Sequence, residues 1–392
     1  MILRGTRVLD CSHVLAGPHC GRQLADMGAE VIKIESPAGG DSVRRVRGEG
    51  DRNGMVFINL NAGKLGLAID LARPEGRQVM FDLVRNSDVL IENFRPGVMR
   101  RFGLDYESLN AVNPRLIMCS ISAFGQTGPM AEQGGFAYSA MAMSGAMDLD
   151  RELDGRVHVG HLPVPDFLAA LNAVSAIGYA LLHRERTGRG QFLDISLVDC
   201  MLAGEDLAIS CVINGQDYTP QRRPAVSTHR VADGYVVIMM TTPELFGRFA
   251  DAIGKPELKV DPRFSSRDAR IANQSVIDSI IDAWITRFST RSEVVECLAT
   301  HRVPCAAVLS VQESIEHPQV RDRGCLVELR EDDGAPVQVV RSAMRFSSAP
   351  TVPVKSAPAR VGSDTRDVLR KVLGYSPDQI DALIALKAVH QA

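Results

Sequence analysis

The sequence lacks any strong excess of charge of one sign. Lys and Arg number 44 and Asp and Glu 47 among 392 residues, which gives a net charge of −3. A nucleic-acid-binding protein is expected to carry a basic excess or stripe, so this balance does not favour that class. Hydrophobic residues make up 45% of the chain and charged residues 23%, as in an ordinary globular protein. The length predicts two domains.

The sequence also lacks a CxxC pair, a signal peptide and a long uninterrupted apolar run. Its 8 cysteines are scattered, which favours reduced thiols over a zinc ribbon or thioredoxin chemistry. The first residues lead directly into a strand, without the apolar stretch that precedes a signal cleavage site. Residues 168–182 are interrupted by Asn172 and Ser175, so no run is expected to reach membrane-spanning length. We therefore expect a cytoplasmic protein without a membrane or nucleic-acid partner.

The common catalytic signatures are missing as well. The chain contains no GxSxG, HExxH or Walker motif, and no GxGxxG follows the first predicted strand. His158 and His161 form an HxxH close to Asp166, but no third ligand is apparent, so no metal site is expected. The chemistry must come from less familiar residues.

Alternating strand and helix patterns predict a parallel, doubly wound α/β core. Strands are predicted at residues 7–11, 30–35, 88–91, 116–122 and 193–197, and helices at 19–27, 74–86 and 166–186. Residues 215–228 have little periodicity and are predicted as a linker. A smaller α+β unit follows, with a strand at 234–241 and helices at 243–253 and 275–288. A helical pair at 364–373 and 377–386 ends the chain.

Asp166 stands at the predicted start of the longest helix, after Pro163 and Pro165. An aspartate in this position normally caps the helix by accepting backbone N–H bonds, and from these residues alone capping is the favoured interpretation. The same geometry would stabilise an ionised carboxylate, which a nucleophile needs. Arg95 and Arg101 flank a Pro-Gly turn, where arginines either form a solvated face or bind phosphate.

Six strings of the sequence occur in an order that resembles the class III CoA-transferase family, whose members include formyl-CoA transferase and carnitine CoA-transferase. The resemblance covers nearly the whole chain. The strings lie at residues 15–18 (LAGP), 28–35 (GAEVIKIE), 92–97 (ENFRPG), 113–117 (NPRLI), 125–129 (GQTGP) and 183–191 (HRERTGRGQ).

The resemblance implies a fold, an assembly and a set of site residues. The fold is a large Rossmann-like, CoA-binding domain built from both chain ends, residues 1–214 and 326–392, with an inserted smaller α+β domain, residues 225–325. Two such chains form an interlocked homodimer. Asp166 matches the family's nucleophile. The residues that match CoA-contacting positions are Leu15, Ala16, Asn93, Phe94, Arg95 and Arg101. Ser36 replaces a family arginine, and residues 215–228 contain no equivalent of a glycine-rich loop that covers the site in formyl-CoA transferase.

The implied activity is transfer of coenzyme A from an acyl-CoA donor, such as succinyl-CoA, to a small carboxylic acid. An aspartyl anhydride and an aspartyl-CoA thioester are the implied intermediates. The substrate is a CoA thioester, and no permanently bound cofactor or metal is implied. An α-methylacyl-CoA racemase of the same fold is the second hypothesis. Its histidine position is occupied here by Phe136, which cannot exchange a proton. A noncatalytic or nicotinamide-binding Rossmann protein is the third, and the absent GxGxxG speaks against it.

Overall fold

The structure is a computed structural model that describes residues 1–48, 52–150, 155–204, 208–216, 218, 226–349, 353 and 355–392. By contacts the chain divides into two units. The larger unit contains Met1–Gln216 and Asp322–Ala392, and the smaller unit contains Asp217–Arg321. The two chain ends therefore belong to one unit.

Strands and helices alternate through the first half of the chain. The strands are β1 (Arg7–Asp10), β2 (Glu30–Glu35), β3 (Leu65–Ile69), β4 (Val89–Glu92), β5 (Ile117–Ser122), β6 (Phe192–Ser196), β7 (Val226–Val231), β8 (Gly234–Met239), β9 (Cys305–Val308), β10 (Leu326–Arg330), β11 (Pro336–Val340) and β12 (Val389–His390). The helices of the first half are α1 (Ala16–Asp26), α2 (Met55–Asn61), α3 (Pro74–Arg85), α4 (Val98–Arg101), α5 (Tyr106–Val112), α6 (Ala137–Met143), α7 (Ala146–Leu149) and α8 (Val164–Thr187).

The remaining helices belong to the second half of the chain. They are α9 (Leu197–Gly204), α10 (Ala208–Ile213), α11 (Pro243–Ala252), α12 (Arg267–Ala272), α13 (Gln274–Ile285), α14 (Arg291–Thr300), α15 (Val311–Glu316), α16 (Pro318–Asp322), α17 (Thr365–Leu373) and α18 (Pro377–Ala385). Short 3₁₀ turns occupy Ser42–Arg45, Pro256–Lys259 and Pro262–Phe264.

The larger unit is built on a seven-stranded sheet in the order β12-β3-β2-β1-β4-β5-β6. All neighbours are parallel except β12, which pairs antiparallel with β3 at the edge. The strands are apolar because helices cover both faces. The chain moves outward from β1 to β3 and then returns to β4, so the strand order reverses between β1 and β4. The predicted doubly wound α/β fold is confirmed.

Each face of this sheet has its own hydrophobic core. On one face, α1 and α8 pack together, and the buried face of α8 is built mainly from alanines, including Ala169, Ala173 and Ala180. Small side chains allow the helix to approach its neighbours closely. On the other face, α3, α5, α17 and α18 supply apolar residues such as Met80, Leu109 and Leu369.

The smaller unit contains an antiparallel sheet, β7-β8-β9, covered by helices α11, α13 and α14. Its core is centred on Trp284, whose ring meets Phe249 and Phe288 edge-on at centroid distances of 6.2 and 4.8 Å. Strands β10 and β11 form a separate antiparallel hairpin in the larger unit.

Three expectations about elements were wrong. Asp166 is not the N-cap of α8: the helix begins at Val164 with Pro163 as its cap residue, and Asp166 is third in the helix. Proline fits the first turn because no N–H bond is needed there, so the helix starts earlier than expected. The second wrong expectation is that no apolar run reaches membrane-spanning length. By length and composition alone, Val164–Thr187 is apolar enough to cross a membrane, although the core helix of a soluble protein passes the same test.

The third wrong expectation concerns residues 215–228. Val226 and the two residues after it belong to β7 rather than to a linker, whereas 217 and 219–225 lie outside the described residues. Strands β3 and β12 were not predicted. Leu65–Ile69 contains Gly66, which lowers strand propensity, and Val389–His390 is two residues long.

Candidate active site

The carboxyl ends of β1 and β4 meet at the point where the strand order reverses. In doubly wound folds ligands bind in the crevice outside the strand ends at this point. The loop after β1 leads to Leu15 and Ala16 at the start of α1, and the loop after β4 carries Asn93, Phe94 and Arg95. Five of the six predicted CoA-contacting residues therefore lie on the two loops that flank the crevice.

Side-chain contacts join these two loops directly. The His13 N–H donates to Asn93 Oδ1 at 2.7 Å, and Asn93 Nδ2 donates back to the His13 carbonyl at 2.7 Å. The His13 and Phe94 rings lie 5.3 Å apart. Asn93 thus acts as a clamp between the β1 loop and the β4 loop.

Buried charges lie beneath the β1 loop. Lys64 Nζ donates to Asp10 Oδ2 at 2.7 Å and to the Pro18 carbonyl at 2.8 Å, while Lys33 Nζ donates to Asp41 Oδ2 at 3.1 Å. All four charged side chains are fully buried. Burial alone would raise the pKa of Asp10, but Lys64 and Lys33 outweigh it and hold that pKa below its usual value.

Asp166 lies in the first turn of α8 and is half-buried. The ring of Phe167, the next residue, meets the His19 ring edge-on at 5.5 Å, which brings the first turns of α1 and α8 side by side. Burial raises the pKa of Asp166 to about 6. The raised pKa runs against the expectation that the helix terminus keeps this carboxyl charged, and burial is its cause.

The two predicted arginines are exposed on either side of the Pro96-Gly97 turn. Arg95 stands against Gly134, where an added Cβ would lie only 2.6 Å from a guanidinium nitrogen. Arg101 is the last residue of α4. Ser36, in the place of the family arginine, is exposed, and its Oγ accepts the Ala38 N–H at 3.3 Å.

Arg95 also lines a cavity of about 620 Å³ that includes Glu92, Tyr106, Gln126 and Phe192. Glu92 is 4% exposed, and burial raises its pKa to about 7 although Ser120 and the Phe94 N–H donate to it. The amide nitrogen of Gln126 is buried without a hydrogen-bond partner. Met118 lines this cavity and belongs to the core under α3 and α5, so the cavity lies on the opposite sheet face from α8.

Sequence reasoning missed Lys33, Asp41 and Glu92. Lys33 did carry a signal, because a lysine inside the apolar string of a buried parallel strand must find a partner charge. Asp41 carried none, because only the folded chain brings it to Lys33. Among the described residues, no group of three or more His, Cys, Asp or Glu is arranged to hold a metal ion.

The family follows from comparison with known proteins. A family model described as CoA-transferase family III matches residues 3–365. The chain therefore belongs to CoA-transferase family III and is an enzyme of that class, which confirms the family predicted from the six strings. CoA thioesters are the substrates of such enzymes.

Individual relatives agree with this assignment. The chain is 35% identical to the succinate–glutarate CoA-transferase of Agrobacterium fabrum, over 94% of this chain and 95% of that protein. It is 31% identical to the succinyl-CoA–L-malate CoA-transferase beta subunit of Chloroflexus aurantiacus, over 99% of this chain and 98% of that protein. A solved CAIB/BAIF family protein from Brucella suis superposes with a TM-score of 0.81 at 33% identity, over 94% of this chain and 99% of that chain.

Proposed function

We propose that this enzyme transfers coenzyme A from succinyl-CoA to a small carboxylic acid, with Asp166 as the covalent nucleophile. The observation that carries the proposal is the half-buried carboxyl in the first turn of α8, beside the start of α1. With a pKa of about 6, about nine-tenths of this carboxyl is ionised at pH 7. A carboxylate that is partly stripped of water and still ionised is suited to attack a thioester carbonyl.

In the first half of the reaction an Asp166 oxygen attacks the acyl carbonyl of the donor. The C–S bond breaks, CoA leaves as a thiolate, and the acyl group is held as an anhydride on Asp166. The thiolate then attacks the Asp166 carbonyl of the anhydride. The donor acid leaves as a carboxylate, and the enzyme holds CoA as an aspartyl thioester. The energy of the thioester is kept throughout.

In the second half the acceptor carboxylate attacks the carbonyl of the aspartyl thioester. The thiolate leaves, and Asp166 and the acceptor acid are joined in a second anhydride. The thiolate attacks the acceptor's acyl carbon, and Asp166 leaves as a free carboxylate. The charges balance without a net proton transfer, so the scheme calls for no separate general acid or base. Backbone N–H groups of the loops are the proposed oxyanion donors.

The proposed CoA contacts are five residues on the loops that flank the crevice and one at the end of α4. The five are Leu15, Ala16, Asn93, Phe94 and Arg95, and the sixth is Arg101. The backbone of the first two lies at the start of α1, where no side chain caps the helix, so the helix end can bind an anionic group. The two arginines would hold phosphate oxygens from the exposed side.

We propose small dicarboxylates as the acids because of the relatives' names. Both relatives described above carry a succinate or succinyl-CoA name, paired with glutarate in one case and L-malate in the other. A panel of acyl-CoA donors against acids, with the products separated by chromatography, tests this choice. Transfer from another donor with no transfer from succinyl-CoA would contradict it.

We further propose that the enzyme is a cytoplasmic, interlocked homodimer. Apolar side chains on the outer face of α8 support the dimer, since Leu171, Tyr179 and Leu182 are 46, 74 and 52% exposed in the single chain. A helix whose outer face is this apolar is expected to be covered. All eight cysteines are free thiols, as expected in a reducing compartment.

Replacing the nucleophile tests the mechanism. Asp166→Ala is expected to lower transfer at least about 1000-fold because no covalent intermediate can form, while the unfolding midpoint is retained. Asp367→Ala is the matched control, because Asp367 is the third residue of α17 as Asp166 is of α8. Mass spectrometry of the wild type after incubation with succinyl-CoA should show CoA on the Asp166 peptide. Wild-type turnover in Asp166→Ala would show that the assignment is wrong.

A deuterium-exchange assay separates transfer from racemisation. A racemase exchanges the α-proton of its acyl-CoA without an acceptor acid, whereas the proposed transferase does not. Incubation in deuterated water with 2-methylacyl-CoA and no acceptor should leave the α-position unlabelled. Label at that carbon, with no transfer to any acid, would favour the racemase despite Phe136.

A further inference from the structure

The loop between β1 and α1 contains a strained residue. Val14 has a φ of 67°, in the left-handed region that a β-branched side chain rarely adopts. Such conformations persist only where the surrounding structure holds them, and they are concentrated at functional sites. Val14 directly precedes Leu15, the N-cap residue of α1.

Buried charges hold this conformation. The Val14 N–H lies 3.2 Å from each carboxylate oxygen of Asp41, and Lys33 Nζ donates both to that carboxylate and to the Ser12 carbonyl. Lys33 and Asp41 are fully buried. Burial would raise the pKa of Asp41, but Lys33 and the Val14 N–H outweigh it, so the carboxyl stays ionised.

The rest of the loop is held equally closely. Asn93 binds both backbone polar groups of His13, and the loop packs so tightly against α1 that a Cβ on Gly17 would lie 2.2 Å from the Ser12 Cβ. In the first turn of α1 no side chain caps the N–H groups of Ala16 and Gly17, and Pro18 has no N–H.

A role in stability alone does not explain the Lys33–Asp41 ion pair and the strained Val14 together. A buried ion pair contributes little net stability compared with apolar residues of the same size. Stability alone also gives no reason to hold a valine in a left-handed conformation. What this ion pair does is bind the Ser12 carbonyl and the Val14 N–H, on either side of His13, immediately before the first turn of α1.

We propose that Lys33 and Asp41 are positioning residues for the CoA thioester. They hold Val14 in its left-handed conformation and so fix the direction in which Leu15 and the first turn of α1 meet the ligand. The inference rests on the proposed function, in which Leu15 and Ala16 contact CoA. Neither Lys33 nor Asp41 touches the reacting atoms.

Calorimetric titration with coenzyme A tests this role. Asp41→Ala removes the acceptor for the Val14 N–H, the partner of Lys33 and the cap of the 3₁₀ turn Ser42–Arg45. It is expected to raise the Kd about tenfold through misplacement of the loop. Asp41→Asn keeps an acceptor for the Val14 N–H and should raise the Kd for coenzyme A less. In steady-state assays the KM for acyl-CoA should rise more than kcat falls, because the loop holds ground state and transition state alike.

Two further variants separate positioning from folding. Lys33→Met keeps a side chain of similar length and leaves Val14 unchanged, but removes the donor to the Ser12 carbonyl, and should also raise the Kd. Asp26→Asn breaks the buried Arg22–Asp26 pair in the last turn of α1. It should lower the unfolding midpoint without changing the Kd.

The outcomes distinguish this inference from the function on which it rests. If the wild type binds no coenzyme A, the proposed function fails. If the wild type binds and both Asp41→Ala and Lys33→Met bind with the wild-type Kd, the positioning role is overturned. Should neither variant fold, Asp41→Asn decides the question by itself, because a wild-type Kd in that variant overturns the role of the ion pair.

Discussion

Asp166 and Glu92 are carboxyl groups of the larger unit whose pKa burial raises, and they differ in their surroundings. Asp166 is half-buried at a helix start, and its pKa of about 6 still leaves it mostly ionised at neutral pH. Glu92 is almost fully buried, and its pKa of about 7 is the balance of burial against donors from Ser120 and Phe94. The first is the proposed nucleophile, whereas the second is expected to make folding depend on pH.

Glu92→Gln is expected to change the pH dependence of stability. The folded pKa of about 7 lies above the ordinary glutamate pKa of 4.5, so between these values the folded state binds a proton that the unfolded state has lost. The stability contributed by Glu92 is therefore full below pH 4.5 and is lost as pH rises through 7. The variant should gain up to about 2–3 kcal/mol over the wild type between pH 5 and pH 8.

Urea unfolding of both proteins at pH 5 and pH 8 measures this difference. Glu185→Gln, which changes an exposed glutamate at the end of α8, is the control and should follow the wild type at both pH values. If Glu92→Gln also follows the wild type, then Glu92 is ionised in the folded protein at neutral pH, and the assigned pKa is wrong.

At the scale of elements, a polar chain joins β7 to α13 in the smaller unit. Ser227 Oγ lies 2.6 Å from His229 Nε2, and His229 Nδ1 lies 2.7 Å from Asp282 Oδ1. The order Ser-His-Asp is that of hydrolytic triads. Here, however, Ser227 and His229 are two residues apart on one strand, and the bonds connect that strand with the helix that covers it.

His229→Ala is expected to destabilise the smaller unit. His229 is 3% exposed. Removal of its imidazole leaves a cavity and breaks its bonds to Ser227 and to the exposed Asp282, at a cost of about 2–3 kcal/mol. Chemical unfolding followed by Trp284 fluorescence reports on this unit, whose core contains that residue. Glu244→Ala, which breaks an exposed i,i+4 pair with Arg248, should change little. An unchanged transition in His229→Ala would show that these bonds do not stabilise the unit.

The elements that the sequence predicted correctly are those with a strong local cause. Glu30–Glu35 is found as predicted because its apolar residues face helices on both sides of a parallel sheet. The start of α8 was misplaced by two residues because Pro165 allows a helix to begin before Asp166. The two-residue strand β12 has no local signal, since only pairing with β3 makes it a strand.

At the scale of the whole molecule, the apolar outer face of α8 predicts self-association. Tyr179→Glu places a charge at a side chain that is 74% exposed in the single chain, and burying that charge in a dimer is costly. Light scattering after gel filtration should give twice the chain mass for the wild type and a smaller average mass for the variant. Leu386→Glu, at another exposed apolar residue of the larger unit, should leave the mass unchanged. A monomeric wild type would contradict the proposed dimer.

The sequence by itself determined the class of fold, the family and the identity of the candidate nucleophile. Apolar strands and their intervening helices follow from local periodicity, and the six ordered strings indicate the family without any knowledge of contacts. Tertiary structure alone decided how the β1 loop is held. Lys33, Asp41 and Asn93 come from three separate segments, and their bonds to residues 12–14 exist only because the parallel sheet places those segments at one edge. It also decided the pKa of Asp166, because burial is a property of the packed chain and cannot be read from the neighbours of a residue in sequence.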